Sequence, residues 1–143
     1  MDVPSDPDAP CALCGWREAV RNDAGWRCGV CGWRVGDAPD ADLPRPRVDV
    51  VYYIRYADRV KIGTSSRPRQ RLAALWHEEL LAFEAGDRRV ERRRHEQFAH
   101  LREGGEWFRA DPELLAHATA LRAGEDPWRA YARWMSDALR TLL

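Results

Sequence analysis

The chain has 143 residues, 45% of them hydrophobic, and its 23 basic residues balance its 23 acidic ones. This length allows one ordinary domain, or a small domain with an appended module. No apolar run approaches the length of a membrane span, and the acidic, proline-rich N-terminus does not resemble a signal peptide. We therefore expect a cytoplasmic protein without a membrane partner.

Two copies of a Cys-x-x-Cys-Gly-Trp pattern follow residues 1–10, which we expect to form a disordered tail. Paired cysteines at this spacing predict a zinc ribbon over residues 11–35, and a structural Zn²⁺ would have four thiolate ligands. These ligands are Cys11, Cys14, Cys28 and Cys31. Two disulfides would need an oxidising compartment, and a redox motif would not need a second copy. A module this small should take its folding energy from the metal.

Charge is distributed unevenly beyond the ribbon. Residues 36–47, rich in proline and aspartate, predict a linker. Residues 44–109 hold 15 basic and 10 acidic side chains, whereas residues 1–43 hold 4 and 8. The positive excess suits a polyanion, although a solvated charged surface would give the same count. Lys61 is the only lysine in the chain, which indicates a position that needs a compact ammonium group unless its placement is chance.

The remaining elements alternate between strand and helix patterns and predict an α+β fold. Strands are expected at residues 50–54, 60–63 and 80–84, with an extended segment at residues 106–108. Helices are expected at residues 69–76, 88–101, 113–122 and 128–142. Leu72, Leu75 and Trp76 share one face of the first helix. The last helix has an amphipathic stripe, which predicts packing on the core or, alternatively, binding of a protein partner.

Four motifs follow one another in this region. They are Val51-Tyr52-Tyr53-Ile54, Lys61-Ile62-Gly63, an E-x3-H-x2-F pattern from Glu91 to Phe98, and Gly105-Glu106-Trp107-Phe108. In this order they resemble the GIY-YIG nuclease superfamily, in particular the branch named for the phage T5 Orf172 domain and a meiotically upregulated gene. The resemblance covers residues 48–109. It implies a small GIY-YIG-like sheet flanked by helices, preceded by the zinc ribbon and followed by C-terminal helices at residues 110–143.

The resemblance implies a metal-dependent DNA endonuclease. The implied catalytic residues are Tyr52, Lys61, Arg71, Glu91 and His95. Tyr52 would orient or activate the attacking water, and Arg71 would hold phosphate oxygens. Glu91 would bind Mg²⁺ or Mn²⁺, and His95 would contact the phosphate or a metal-bound water. Lys61 stands where the superfamily has its second tyrosine, and it would hold Tyr52 as a phenolate or contact the phosphate.

Each of these residues also has an ordinary structural interpretation, and two observations keep other functions open. Lys61 departs from the motif that gives the superfamily its name, although the T5 Orf172 branch often has Lys-Ile-Gly at this place. Many members carry a late asparagine, but the only asparagine here is Asn22, in the ribbon. The alternatives are a DNA-binding domain of the same fold that does not cut, with RNA not excluded as partner, and an adaptor that binds proteins through the ribbon and the last helix.

Overall fold

The computed structural model describes residues 8–142, so residues 1–7 of the predicted tail lie outside the described part of the chain. The predicted α+β fold is confirmed. In chain order, the strands are Ala19–Asn22 (β1), Gly25–Cys28 (β2), Val50–Tyr56 (β3), Arg59–Ser65 (β4), Glu79–Ala85 (β5), Arg102–Gly104 (β6) and Trp107–Arg109 (β7). The helices are Pro68–Ala74 (α1), Arg88–Gln97 (α2), Pro112–Arg122 (α3) and Pro127–Leu142 (α4), with a 3-10 turn at Ala99–Leu101.

The chain divides into two compact units. One unit runs to Arg47 and resumes at Trp128, and the other is Val48–Pro127. In the first unit, β1 and β2 form an antiparallel hairpin. In the second, five antiparallel strands form one sheet in the order β5-β3-β4-β7-β6.

The hydrophobic core of the second unit lies on one face of its sheet. Alternation along β3 and β4 turns Val51, Tyr53, Val60 and Ile62 toward this face. The helical side contributes buried apolar residues from α2, the 3-10 turn and α3; these are Phe98, Leu101, Leu114 and Ala118. The helix α3 therefore completes the core of this unit.

The opposite face of the sheet carries the other half of the alternation. Tyr52 is the Cα partner of Gly63, and Ile54 is the partner of Lys61. Pro68 and Leu72 are the buried residues of α1, which follows β4 directly. The side chains of Tyr52 and Tyr53 consequently point to opposite faces, as expected for neighbours on a strand.

A half-buried ionic network connects strand β5 with helix α2. Arg94 donates from Nε to Glu84 Oε1 at 3.0 Å, and the hydroxyl of Tyr53 donates to the same oxygen at 2.9 Å. His117 of α3 lies 3.3 Å from that hydroxyl. Burial alone would raise the pKa of Glu84, but the bonds from Arg94 and Tyr53 outweigh burial and hold the pKa below its usual value.

The structure groups most of the last helix, α4, with the N-terminal segment. Its stripe residues Tyr131, Met135 and Leu139 are buried. Leu139 lines a cavity with Leu13, Trp33, Asp40, Asp42, Leu43 and Pro44. A helical stripe predicts that one face of the helix is buried but does not specify which residues cover that face. The sequence pattern therefore does not predict to which of the two units α4 belongs. Among residues 8–142, the structure has no helix with the length and hydropathy needed to cross a bilayer.

Replacing Arg94 with alanine tests the ionic network. Arg94→Ala leaves the carboxylate of Glu84 half-buried without its cation, so we expect a loss of about 2–3 kcal/mol in the free energy of unfolding at pH 7. Arg93→Ala, an exposed neighbour on α2, should change it by less than about 0.5 kcal/mol. Urea unfolding of both variants measures the difference.

The pH dependence of this loss follows from the lowered pKa of Glu84. A carboxylate with a depressed folded-state pKa contributes stability above its unfolded pKa of 4.5, and this contribution disappears as the pH falls through the lower folded value. The gap between wild type and Arg94→Ala should therefore be constant near neutrality and close only in acid. A gap that stays open at the lowest pH at which the protein folds would contradict an ionic role for Arg94.

Candidate functional site

The first candidate site is the cluster of four cysteines. Their sulfur atoms all lie within 4.8 Å of one another. The distance from Cys11 to Cys31 is 3.6 Å and that from Cys14 to Cys28 is 3.5 Å. These separations exclude disulfides and approach the roughly 3.8 Å between sulfurs that bind one tetrahedral zinc ion. The cluster is compatible with structural zinc, and a closed set of four thiolates leaves no position for a substrate.

The two cysteine turns repeat the same hydrogen bonds. Cys11 N donates to Trp16 O at 2.7 Å, and Cys28 N donates to Trp33 O at 2.8 Å. Gly15 and Gly32 close the turns by donating to the carbonyls of Cys11 and Cys28. Both glycines have positive φ, 83° and 77°, a conformation that other residues adopt at a cost. The sequence duplication therefore corresponds to a structural duplication, with a glycine where each turn needs one.

The second candidate site lies in the Val48–Pro127 unit and begins at Tyr52. This side chain is fully buried. Its hydroxyl has no hydrogen-bond partner among residues 8–142, although buried polar groups are almost always paired. The ring lies over Gly63, where an added Cβ would fall 2.4 Å from the hydroxyl oxygen. Gly63 does not have positive φ, so it is required here for space rather than for backbone conformation.

Arg71, exposed on α1, is the cation beside Tyr52. Burial raises the pKa of Tyr52, the guanidinium of Arg71 opposes this increase, and the charges of Glu106 and Glu91 add to it. The net pKa stays above its usual value, so the hydroxyl is protonated at neutral pH. The influence of Arg71 and of both carboxylates on one hydroxyl means that these groups converge on it.

Glu91 and His95 reach this region from α2. The hydroxyl of Thr64 donates to Glu91 Oε2. His95 Nε2 lies 2.8 Å from the carbonyl of Ile62 and 3.7 Å from Glu91 Oε1. A carbonyl oxygen can only accept a hydrogen bond. His95 Nε2 therefore carries a hydrogen and donates a hydrogen bond to the carbonyl of Ile62. That nitrogen cannot ligate a metal while it makes this bond.

Glu106 precedes β7 and forms a second carboxylate near Glu91. Burial and then the proximity of Glu91 raise the pKa of Glu106, and the ammonium of Lys61 partly counters them. Lys61 Nζ lies 3.7 Å from Glu106 Oε2 and 5.9 Å from the ring centre of Trp107. Lys61 therefore forms its ion pair with Glu106. Arg71 is the cation that opposes the increase in the pKa of Tyr52.

An open strand edge allows groups from both faces of the sheet to meet. The strand β7 pairs with β4 only over Arg59 to Lys61, followed by one bond from Ile62 N to Glu106 O at 3.0 Å. Beyond it, Gly63–Ser65 has no strand on that side among the described residues. Tyr52 approaches this edge from one face, and Glu91 approaches from the other.

The sequence motifs do not identify Thr64, which bonds to Glu91. Strand alternation places Thr64 on the same face as Ile62, and this is the signal that could have identified it. The helical pattern also predicts that Trp76 shares the packed face of the first helix, but α1 ends at Ala74 and the indole is 80% exposed. A helical period does not apply beyond the end of the helix.

Comparison with known proteins gives one match. The family model of the T5orf172 domain matches residues 49–123, more than half of the chain. The matched segment begins just before β3 and includes α3. Neither the curated proteins nor the solved structures contain a match to this chain. The expected resemblance to the phage T5 Orf172 branch is confirmed.

Metal analysis tests the cysteine cluster. The purified protein should contain about one zinc per chain by mass spectrometry of the metal. Cys14→Ser should lose most of it and show faster amide exchange in residues 8–47, because the metal supplies the folding energy of so small a module. Val20→Ala, at an exposed position of β1, should retain the metal. Full zinc content in Cys14→Ser would contradict the four-thiolate site.

Adding a methyl group at residue 63 tests the contact between β4 and Tyr52. Gly63→Ala places a Cβ 2.4 Å from the hydroxyl of Tyr52, so we expect a loss of about 1–3 kcal/mol in the free energy of unfolding. The same substitution should cost clearly less in a Tyr52→Leu background, because the ring that it meets is gone. Equal losses in the two backgrounds would show that the contact is unimportant.

Proposed function

The chain belongs to the T5orf172 domain family, whose domains are nuclease-like or DNA-binding, and from this premise we propose that it is a metal-dependent endonuclease of the GIY-YIG type that hydrolyses DNA. The observation that carries the proposal is the hydroxyl of Tyr52. It is buried, lies against Gly63 and makes no hydrogen bond of normal geometry among residues 8–142, although the guanidinium of Arg71 is close enough to lower its pKa by hydrogen bonding. Such a group costs about 1–3 kcal/mol, a cost that a bound water or substrate oxygen would offset.

In hydrolysis, a water oxygen forms a bond to phosphorus and gives up a proton to solvent, the bond to one ester oxygen breaks, and the leaving oxygen takes up a proton from solvent, so that one water is consumed for each bond cut. The neutral hydroxyl of Tyr52 is suited to orient the attacking water by hydrogen bonding. The planar guanidinium of Arg71 is suited to hold two phosphate oxygens while negative charge develops on them. Loss of the phosphate contact made by Arg71 should therefore lower the rate of cleavage more than it lowers the affinity for DNA.

Glu91 and Glu106 suit a hard divalent cation. Both offer carboxylate oxygens, the ligands that Mg²⁺ and Mn²⁺ prefer. Burial and then the closeness of Glu91 raise the pKa of Glu106, which supports a short distance between the two carboxyl groups. A bound cation would stabilise charge on the phosphate and, by neutralising the carboxylates, lower the pKa of Tyr52. Two hydrogen bonds hold the residues at this position in place. One runs from Thr64 to Glu91, and the other runs from His95 to the carbonyl of Ile62.

Exposed arginines on the two helices that carry Arg71 and Glu91 support a nucleic-acid partner. On α2 they are Arg88, Arg89, Arg92 and Arg93, and on or before α1 they are Arg67, Arg69 and Arg71. Arg59 lies with its guanidinium carbon 5.2 Å from the ring centre of Trp107. Such a surface favours phosphate contacts whose strength falls with salt.

A DNA-binding domain that does not cut is the second candidate function. Lys61 favours it, because this residue replaces the second tyrosine of the superfamily motif and is paired with Glu106. The raised pKa of Tyr52 favours it as well, since a protonated phenol is a poor base.

Plasmid cleavage distinguishes the two functions. Supercoiled plasmid incubated with wild type in Mg²⁺ or Mn²⁺ should become nicked or linear. Glu91→Gln, which keeps the size of the side chain but not its charge, should slow this on the order of 100-fold or more. Glu96→Gln, an exposed position on the same helix, should cut like wild type.

Equal cleavage by Glu91→Gln and wild type would contradict the role assigned to Glu91. Absence of cleavage by wild type in both metals, together with salt-sensitive retardation of the plasmid in a gel, would establish the second candidate. Absence of both cleavage and retardation at low salt would contradict both functions.

A further inference from the structure

Trp76 is the most exposed large hydrophobic side chain in residues 8–142. Its exposure is 80%, compared with 38% for Trp26 and 37% for Tyr56. Isolated exposed apolar residues are common, but an indole of this size has a large face that contributes nothing to the core. The exposed face of the indole is therefore free to contact a flat, apolar partner.

The backbone around Trp76 is held firmly. His77 Nδ1 donates to the carbonyl of Leu75 at 2.7 Å. Glu78 N donates to Arg55 O at 2.8 Å, and Glu78 Oε1 accepts from Ala57 N at 3.2 Å. The turn is thus tied to the β3–β4 hairpin, and the indole projects from a fixed support. A rigid aromatic side chain loses little conformational entropy when it binds a flat partner.

Charge near Trp76 is asymmetric. The helix before it presents exposed Arg69 and Arg71, and Arg67 precedes that helix. On the other side, Glu78 is engaged by the hairpin turn and Glu79 is exposed. A polyanion that touches the indole would therefore extend from Trp76 along α1 toward Arg71, and away from β5.

We propose that Trp76 stacks on an unpaired nucleobase of a strand whose phosphate lies at Arg71, so that the preferred substrate is single-stranded DNA or a duplex with an unpaired segment. This inference rests on the proposed function, in which Arg71 contacts phosphate. Arg71 lies three residues before the end of α1 at Ala74, and Trp76 lies two residues beyond that end, so the two side chains belong to neighbouring positions of the chain. Bases inside a continuous duplex have both faces covered, whereas unpaired bases stack on aromatic side chains.

Binding measurements on matched oligonucleotides test this inference. Fluorescence anisotropy without added divalent cation compares a labelled single strand with the duplex of the same sequence. Trp76→Ala should weaken binding of the single strand about tenfold and binding of the duplex less than twofold. Trp76→Phe should keep most of the affinity, because a smaller aromatic ring still stacks. Tyr56→Ala, an exposed aromatic residue on the neighbouring hairpin, should bind both oligonucleotides like wild type.

A second readout reports stacking directly. A single strand with 2-aminopurine near its centre should lose fluorescence on binding wild type, and this quenching should be reduced with Trp76→Ala at saturating protein. Unchanged affinity and unchanged quenching in Trp76→Ala, with wild-type binding intact, would overturn the inference and leave the proposed function standing. Equal weakening of single strand and duplex would also overturn it. Wild type that binds neither oligonucleotide at low salt would instead contradict the proposed function itself.

Discussion

The ring of Tyr52 occupies the space that a side chain at residue 63 would need, and the candidate site depends on this steric pairing. Only a residue without Cβ lets the phenol lie flat over β4, with an added Cβ just 2.4 Å from its oxygen. The result is a polar atom buried without a partner among residues 8–142. Folded proteins avoid this arrangement unless other interactions compensate for it, and sites that bind a ligand are where it persists.

The compensation comes from the opposite face of the same sheet. There, Tyr53 is buried in the apolar core and its hydroxyl is satisfied by Glu84, which Arg94 in turn neutralises. Two adjacent tyrosines thus have different roles because a strand turns successive side chains to opposite faces. One stabilises the unit, and the other makes no hydrogen bond of normal geometry among residues 8–142. This division explains how β3 can be a core strand and a site strand together.

The short pairing between β7 and β4 has an equally large consequence. If β7 continued along β4 past Ile62, it would cover the edge at Gly63–Ser65 and separate Glu91 from Tyr52. Because strand pairing stops at Lys61, the carboxylates of Glu91 and Glu106 influence the pKa of a hydroxyl on the other face. This candidate site therefore lies at a sheet edge within the Val48–Pro127 unit.

Local spacing is enough to predict strands β3, β4 and β5, the four helices, the four-cysteine cluster and the family, but not strands β1, β2 or β6. The informative local features are the repeated cysteine turns, the strand alternation around Tyr52 and Tyr53, and Asp87, whose side chain caps α2. Tertiary structure alone decided the groups that depend on distant neighbours. Thr64 binds Glu91 27 residues away, Lys61 pairs with Glu106 while Arg71 faces Tyr52, and α4 groups with the N-terminal unit. Periodicity specifies which face of an element is buried, but the partner of that face is set by three-dimensional packing. Trp76 shows the same limit, since its exposure depends on where α1 ends.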